Sequence, residues 1–280
     1  MSYVSMKKML ADAHKKGYAV GAFNIFNYQS IRAAITEADV QRSPIILQTS
    51  VKTVKAFGSR ELARILIPLA EKATVPVALH LDHCKDVTFA KECMDAGWSS
   101  IMYDGSSFPL EENIRNTKEV IAYKNGRAVS VEGELGAIVG VEEDIVVNDG
   151  DGSLADTNLS VRYTSETGVD AFAPAIGTAH GVYRGEPKLN FDRFAEIESL
   201  VPQPLVIHGG TGLSPEVFRR FIQLGATKIN ISTALKLSYI QALTECKQFK
   251  EPLSADEHIE NKLRQTVAEY IRIFGSDGKA

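Results

Sequence analysis

Cysteine is scarce in these 280 residues: Cys84, Cys93 and Cys246 are odd in number and lack the spacing of paired metal ligands. That argues against a disulfide framework and for a reducing, cytoplasmic compartment. Cys84 adjoins His83 but reads best as a small buried residue. No apolar run approaches the roughly 20 residues that a membrane span needs. The opening stretch, MSYVSMKKMLADAHKK, has no apolar core after its lysines, so a secretion signal is not expected. Basic runs are missing as well, and the formal net charge is −4, which argues against nucleic acid or an anionic membrane as partner. Small polar or anionic substrates can still be met by local sites. Nor is there a Pro/Gly/Ser-rich linker or a break in composition. With 44% hydrophobic residues the chain can bury a large core, and a single domain over residues 1–280 is expected.

What is present is alternation. Short β-branched or apolar runs at Ala19 to Asn24, Pro44 to Gln48, Val77 to Asp82, Ser100 to Asp104, Ala128 to Glu134, Ala171 to Ala175, Leu205 to His208 and Thr227 to Ile231 read as strands. Helical patterns lie between them, among them Ile31 to Val40, Glu61 to Lys72, Phe89 to Ala96, Glu111 to Tyr123 and Pro215 to Leu224. Eight βα units at this length favour a closed (β/α)8 TIM barrel over an open sheet. Ser214-Pro215 is a helix start, and Gly97 and Gly225 each close a helix before a strand. An N-terminal helix from Met6 to Lys16 is placed to plug the barrel floor. The eighth strand is followed by its own helix, Ala234 to Phe249. An extra C-terminal helix, Ala255 to Phe274, can cover either its own barrel or a neighbouring subunit.

One connection is unlike the others. From Gly136 to Asn158 the chain reads GAIVGVEEDIVVNDGDGSLADTN, rich in glycine and acids and without helical periodicity. Long segments without regular structure are often mobile lids, and this one leaves the downstream end of the fifth strand. A mobile active-site loop over residues 136–158 is expected.

His83, His180 and His208 stand at the downstream ends of three predicted strands, in HLDHC, GTAHGVY and VIHGGTG. A lone strand histidine is usually a satisfied core residue, but three at matching ends converge on one face. Three neutral imidazoles with an open fourth position describe a catalytic zinc site. His14 and His258, in terminal helices with charged neighbours, read as solvated. Alternation turns His80 and Asp82 to the barrel interior, with His83 at the rim. Asp82 can be a general acid/base or an orienter of a ligand, and spacing leaves both open. Asp104, in MYDGSS, and Glu134, in VEGELG, add carboxylates to the same face. They either ligate a second or displaced metal position or hold histidines and waters.

Two further loops look built for an anion. Gly209-Gly210-Thr211-Gly212 follows the seventh strand, and Asn230-Ile231-Ser232-Thr233 closes the eighth, each before a helix. Backbone N–H groups of a glycine turn and of a helix N-terminus point at an anion, and in such barrels these two loops are the frequent phosphate site.

HLDH, GELG with its downstream EED, GTAHGVYRGEPKL, HGGTGL and KINIST together resemble the class II, zinc-dependent ketose-bisphosphate aldolases, which include fructose- and tagatose-bisphosphate aldolases. The resemblance runs from AFNIFN near the start to FGSDGKA at the close. It implies reversible cleavage of a ketose 1-phosphate or 1,6-bisphosphate to dihydroxyacetone phosphate and an aldehyde. On this resemblance His83, His180 and His208 are ligands of one catalytic Zn2+, and Asp82 is the acid/base for the substrate hydroxyl. Asp104 and Glu134 match a second or alternative metal position, and a second metal or a monovalent cation is a further option. Glu143 matches the mobile base that moves the proton on the enediolate carbon, with Glu142 the alternative because this loop has shifted spacing. Asn24, Ser50, Gly181, Arg184, Gly209, Gly210, Thr211, Asn230, Ser232 and Thr233 match substrate-binding positions. The family often has serine at Thr211 and lysine at Arg184. The implied setting is a cytoplasmic homodimer or homotetramer acting on a small phosphorylated sugar, without nucleic acid or membrane.

One departure stands out. Related enzymes commonly carry an arginine in a Pro-Arg-x-Tyr-like segment before the last helix, where it holds a phosphate on the aldehyde half. Here the chain reads Lys250-Glu251-Pro252-Leu253-Ser254-Ala255-Asp256, and the nearest cations, Lys262 and Arg264, fall within the predicted helix. Three other readings are an imine-forming aldolase using a strand lysine such as Lys228, a non-catalytic sugar-phosphate-binding relative, and a barrel metallohydrolase. The first leaves three histidines unexplained. Loss of a ligand or of Asp82 would signal the second, and the third has no need of a double phosphate loop.

Overall fold

The structure, a computed structural model, describes residues 2–142, 145–147, 152–183 and 185–280. Its strands are β1 Val20–Asn24, β2 Ile45–Ser50, β3 Val77–Cys84, β4 Ser100–Tyr103, β5 Ser130–Leu135, β6 Val139–Glu142, β7 Ile145–Val147, β8 Ala171–Pro174, β9 Ala179–His180, β10 Leu205–Ile207 and β11 Ala226–Ile231. The helices are α1 Met6–Lys16, α2 Tyr28–Gln41, α3 Val51–Phe57, α4 Ser59–Lys72, α5 Val87–Ala96, α6 Leu110–Tyr123, α7 Thr157–Thr167, α8 Phe191–Leu200, α9 Pro215–Gln223, α10 Thr233–Glu245 and α11 Pro252–Ile273. Eight strands close into a barrel in the order β1-β11-β10-β8-β5-β4-β3-β2, every pair parallel. These are the eight runs read from the sequence. The architecture is a (β/α)8 TIM barrel with extra helices at both ends.

Local chemistry sets the boundaries. Asn27 and Ser30 cap α2 reciprocally, Asp86 accepts from Thr88 N and Phe89 N at the start of α5, and Ser214 with Pro215 opens α9. Gly97 ends α5 at φ 116°, in the left-handed region where a side chain is disfavoured. At the barrel floor Met6, Met9, Leu10 and Ala13 of α1 pack against the inward-facing Val20, Ala22, Ile46, Ala78, Ala171, Ala173 and Val206. Full burial of each Met or Leu side chain contributes about 1.5–3 kcal/mol. The expected plug is therefore in place, and the upstream half of the interior is filled by apolar side chains. α11 covers its own barrel, laying Ile259, Leu263, Val267 and Ile271 against α2 and α10. Among the described residues no helix is long and apolar enough to cross a membrane.

Within the segment 136–158 the described residues carry regular structure that the sequence reading did not expect: β6 and β7 pair antiparallel, β6 also pairs parallel with β9, and α7 begins at Thr157 with Asp156 as its N-cap. Strands of three or four residues leave too short an alternation to be read through the surrounding glycines and acids. Gly140 shows why one glycine is needed here. Its φ is 108°, and a Cβ would lie 2.2 Å from the His180 carbonyl oxygen across the β6–β9 pairing.

Candidate active site

The polar half of the barrel lies at the downstream ends of the strands. In a regular strand Asp82 and His83 would point to opposite faces. The β3–β4 register shifts between Leu81 and Cys84, and His83 takes φ 45°, so the bulge turns its ring toward the same centre as Asp82. Left-handed backbone at a bulky residue costs about 1–3 kcal/mol and clusters at functional sites. His208 directly follows β10. His180 does not end a barrel strand, as the sequence suggested. It sits in β9, beyond the end of β8, and is held there by pairing with β6.

The three rings nevertheless meet. Ring centroids are 4.7 Å apart for His83 and His208, 4.9 Å for His83 and His180, and 6.1 Å for His180 and His208. One nitrogen from each lies within 4.8 Å of the others, and all three side chains are buried. His83 Nε2 faces His208 Nδ1 at 2.9 Å, while the opposite nitrogens are taken by acids: His83 Nδ1 by Asp104 Oδ2 at 3.0 Å and His208 Nε2 by Glu132 Oε1 at 2.9 Å. Carboxylates behind imidazoles fix their orientation and tautomer. This donor set fits a metal ion. Tetrahedral zinc at about 2.0–2.1 Å from each nitrogen would hold them about 3.3 Å apart, and the 2.9 Å between His83 Nε2 and His208 Nδ1 lies near that.

The electrostatics agree. Burial, and next the charge of His83, push the His180 imidazole well below its ordinary pKa; burial, His83 and Lys228 do the same to His208. Both are thus neutral near pH 7, the form that ligates. Burial also opposes the charge of His83, but Asp82, the hydrogen-bonded Asp104 and Glu134 outweigh it and raise this ring well above its usual value. The site is built to hold positive charge. Asp104 is resisted by burial yet held below the carboxylate range by its bond to His83, and burial with Asp104 raises Glu134 well above it. His83, Asp104 and Glu134 form a second cluster with metal-ligand spacing.

Asp82 is held as an acceptor. Asn24 Nδ2 donates to Oδ2 at 3.1 Å, Asn230 Nδ2 to Oδ1 at 3.4 Å, and Gln48 Nε2 fixes Asn24 through its Oδ1 at 2.8 Å. Ser50 ends β2 and caps α3, accepting from Thr53 N at 3.1 Å.

Beside this cluster the loops after β8, β10 and β11 press together. A Cβ on Gly209 would strike Ala179 O at 2.4 Å, and one on Gly210 would meet Asn230 O at 2.8 Å. Gly181 and Gly209 have φ 87° and 69°. Thr211 Oγ1 accepts from Ala234 N at 3.1 Å, while Ser232 Oγ is buried without a hydrogen-bond partner among the described residues. Thr233 opens α10, whose N-cap residue Ser232 makes no side-chain cap bond of its own. Hydroxyls and helix N–H groups at one place suit a phosphate.

Glu143 and Arg184 lie outside the described residues. Glu142 contributes its backbone to β6, opposite Ile145. Lys262 pairs with Glu245 at 3.4 Å and Arg264 with Glu37 at 3.1 Å, so both are engaged with acids of α10 and α2. Three contributors escaped the sequence reading, and a fourth was read in another role. Gln48 and Tyr183 carry no spacing signal; the Tyr183 hydroxyl accepts from Ala179 N and donates to Gly209 O, tying β9 to the glycine turn. Glu132 could have been found, because it shares a strand face with Glu134 two residues on. Lys228, considered as an imine former, is fully buried and donates to Glu132 and Asn230.

Barrel, histidine cluster and adjoining anion loops define a metal-site lyase architecture. The family model for class II fructose-bisphosphate aldolase matches residues 4–279, and the chain belongs to that family. It is 40% identical over 289 residues to fructose-bisphosphate aldolase of Geobacillus stearothermophilus, covering 100% of this chain and 99% of that one. It is 36% identical over 287 residues to sulfofructosephosphate aldolase of Alkalicoccus urumqiensis, covering 100% and 99%. Against 6-phospho-5-dehydro-2-deoxy-D-gluconate aldolase of Shouchella clausii it is 39% identical over 287 residues, covering 100% and 97%. Among solved structures, the YdjI aldolase of Escherichia coli K12 superposes with a TM-score of 0.90 at 32% identity, covering 99% of each chain. The chain is an aldolase of the class II type. Relatives of similar identity are named for three different substrates, so likeness alone does not select one.

Proposed function

We propose that this aldolase reversibly cleaves a ketose 1-phosphate, or with less preference a 1,6-bisphosphate, to dihydroxyacetone phosphate and an aldehyde. The observation that carries the reading is the placement of the loops after β10 and β11, with the buried Ser232 hydroxyl, beside the three histidines and Asp82. The Gly209-Gly210-Thr211 turn, Ser232 and Thr233 bind the donor phosphate, Gly181 and Asn230 complete the pocket for the dihydroxyacetone phosphate half, and Arg184 and Ser50 are further substrate-binding positions. Zinc, when held by His83, His180 and His208, supplies Lewis-acid stabilisation of negative charge. Asp82, steadied by Asn24 and Asn230, takes the hydroxyl proton of the departing aldehyde half. Glu143 returns a proton to the enediolate carbon, brought in by the segment 136–158. A cytoplasmic homodimer or homotetramer completes the reading, supported by Leu237, Ile240 and Leu243, which leave about half of their area exposed along α10.

The proton roles are separable. Glu143→Ala is expected to slow exchange of the α-proton of dihydroxyacetone phosphate with solvent by about 10²–10⁴-fold, the usual worth of a general base. Proton NMR in heavy water reads this directly. A larger effect of Glu142→Ala would move the role one residue back.

The aldehyde half tests substrate choice. A charge-assisted arginine–phosphate contact contributes roughly 1.5–3 kcal/mol, so lacking one should cost about tenfold to a hundredfold in preference for a phosphorylated aldehyde. The two nearest cations on α11 are already paired. A panel of aldehydes offered with dihydroxyacetone phosphate, with products identified by mass and configuration, should favour unphosphorylated or otherwise polar aldehydes. If kcat/KM for fructose or tagatose bisphosphate stands well above that for every monophosphate, this substrate reading fails. Loss of that advantage in Arg264→Ala would locate the replacement.

A further inference from the structure

We propose that Lys228 and Glu132, buried beneath the histidines, are positioning residues that decide which nitrogen of His208 faces the metal and which end of Asn230 faces Asp82. Both side chains have no exposure. Lys228 Nζ lies 3.0 Å from Glu132 Oε2, 3.3 Å from Oε1 and 2.7 Å from Asn230 Oδ1. An ammonium only donates. The Asn230 atom that meets it must therefore be oxygen, which turns the amide nitrogen to His208 Nδ1 at 3.2 Å and Asp82 Oδ1 at 3.4 Å. A carboxylate only accepts, so the His208 Nε2 that lies 2.9 Å from Oε1 of Glu132, the partner of that ammonium, carries the hydrogen. The lone pair is left on Nδ1, the atom that faces His83 Nε2 at 2.9 Å. One lysine thus orients a ligand ring through one acceptor and the amide that steadies Asp82 through another.

Stability alone does not account for the pair. Well-packed apolar residues in place of a buried ion pair are often as stable or more so, and the floor of this barrel is filled that way by Val20, Ala22 and Ile46. Lys228 and Glu132 sit where the lining turns polar, directly under the ligands. His80 does not compete for Glu132. Its Nδ1 bonds Ser100 Oγ at 2.6 Å, its Nε2 stays 3.7 Å from Glu132 Oε2, and burial with the Lys228 charge keeps it neutral.

The inference rests on the zinc reading, and its test separates the two. The primary readout is zinc affinity of the metal-free protein, by competition with a chromophoric chelator. In Glu132→Gln the amide oxygen is drawn to Lys228, its NH2 is left against His208, and the tautomer with hydrogen on Nδ1 is favoured. Zinc affinity should fall about 10–100-fold, the usual cost of losing an outer partner of a ligand. In Glu132→Gln/Lys228→Met the amide can turn its oxygen to His208, and most of the lost affinity should return. A merely structural role predicts the opposite order, with the double variant the weaker binder. Imidazole NMR of the zinc-loaded wild type gives a readout that needs no variant to fold: His208 should carry its hydrogen on Nε2. Equal affinity of wild type and Glu132→Gln, a double variant weaker than the single, or an Nδ1 hydrogen on His208 overturns the inference. A wild type that binds no zinc overturns the zinc reading and this inference with it.

Discussion

Stripping the protein with a chelator is expected to abolish aldol cleavage, and zinc to restore it. Retro-aldol cleavage leaves a carbanion beside a carbonyl, and some group must take up the charge. An imine on a lysine is the other solution available to a barrel, but Lys228 is enclosed and its amine donates to Glu132 and Asn230. The histidine cluster, by contrast, is surrounded by Asp82, Asp104, Glu132 and Glu134, an arrangement that favours a cation. Without an ion that demand is met by a proton on His83, whose charged form Asp82, Asp104 and Glu134 favour against burial. Such a proton is shared with Asp104 and is poorly placed to serve a substrate oxygen. Losing one oxyanion donor costs about 10²–10³ in rate, so losing the whole electron sink should cost more than about 10³. The check is a cleavage assay on protein verified metal-free, together with borohydride reduction in the presence of substrate. Undiminished cleavage, or a reduced adduct on Lys228, would sink the mechanism.

The parts of this molecule that were legible in the sequence share a physical cause. Strands of a closed parallel barrel bury both faces, so β1, β2, β3 and β11 read as apolar or β-branched runs wherever their boundaries fall. His83 and His208 were placed by the same logic, since their segments end where those runs end. His180 was harder, because its short strand exists only through pairing with a hairpin whose glycines and acids hide its own alternation. The bulge at Leu81–Cys84 has no marker in HLDHC, yet it is what lets adjacent residues serve one site. The sequence marked an extra C-terminal helix over Ala255 to Phe274 but not its partner, which its stripe Ile259, Leu263, Val267, Ile271 finds on α2 and α10. Period encodes a buried face; it does not say what buries it. The links of Asp82 and His208 to their partners were not legible for a related reason. Asn24, Asn230, Glu132 and Lys228 come from three strands far apart in the chain, and closure of the barrel brings them together.

Asp82→Ala is expected to retain its metal and lose about 10²–10⁴ in cleavage rate. From the sequence, Asp82 could equally orient a ligand. The structure gives the orienting position on His83 to Asp104, 3.0 Å from Nδ1, while Asp82 Oδ1 stands 3.9 Å from Nε2 and receives the amides of Asn24 and Asn230. An acceptor steadied by neutral donors, not committed to the ring it adjoins, suits proton transfer with a substrate hydroxyl. The two acids should therefore give crossed phenotypes. Asp104→Ala removes the partner that sets the tautomer of His83, and zinc affinity should drop about 10–100-fold. Asp82→Ala should bind zinc nearly as the wild type does and still exchange the α-proton of dihydroxyacetone phosphate, because that half-reaction involves the other fragment and Glu143. Metal content by elemental analysis, cleavage rate and proton exchange, measured on the same preparations, separate the roles. If Asp82→Ala loses its metal, or loses exchange as completely as Glu143→Ala, then Asp82 acts through the histidines and the proton from the substrate hydroxyl must be taken elsewhere.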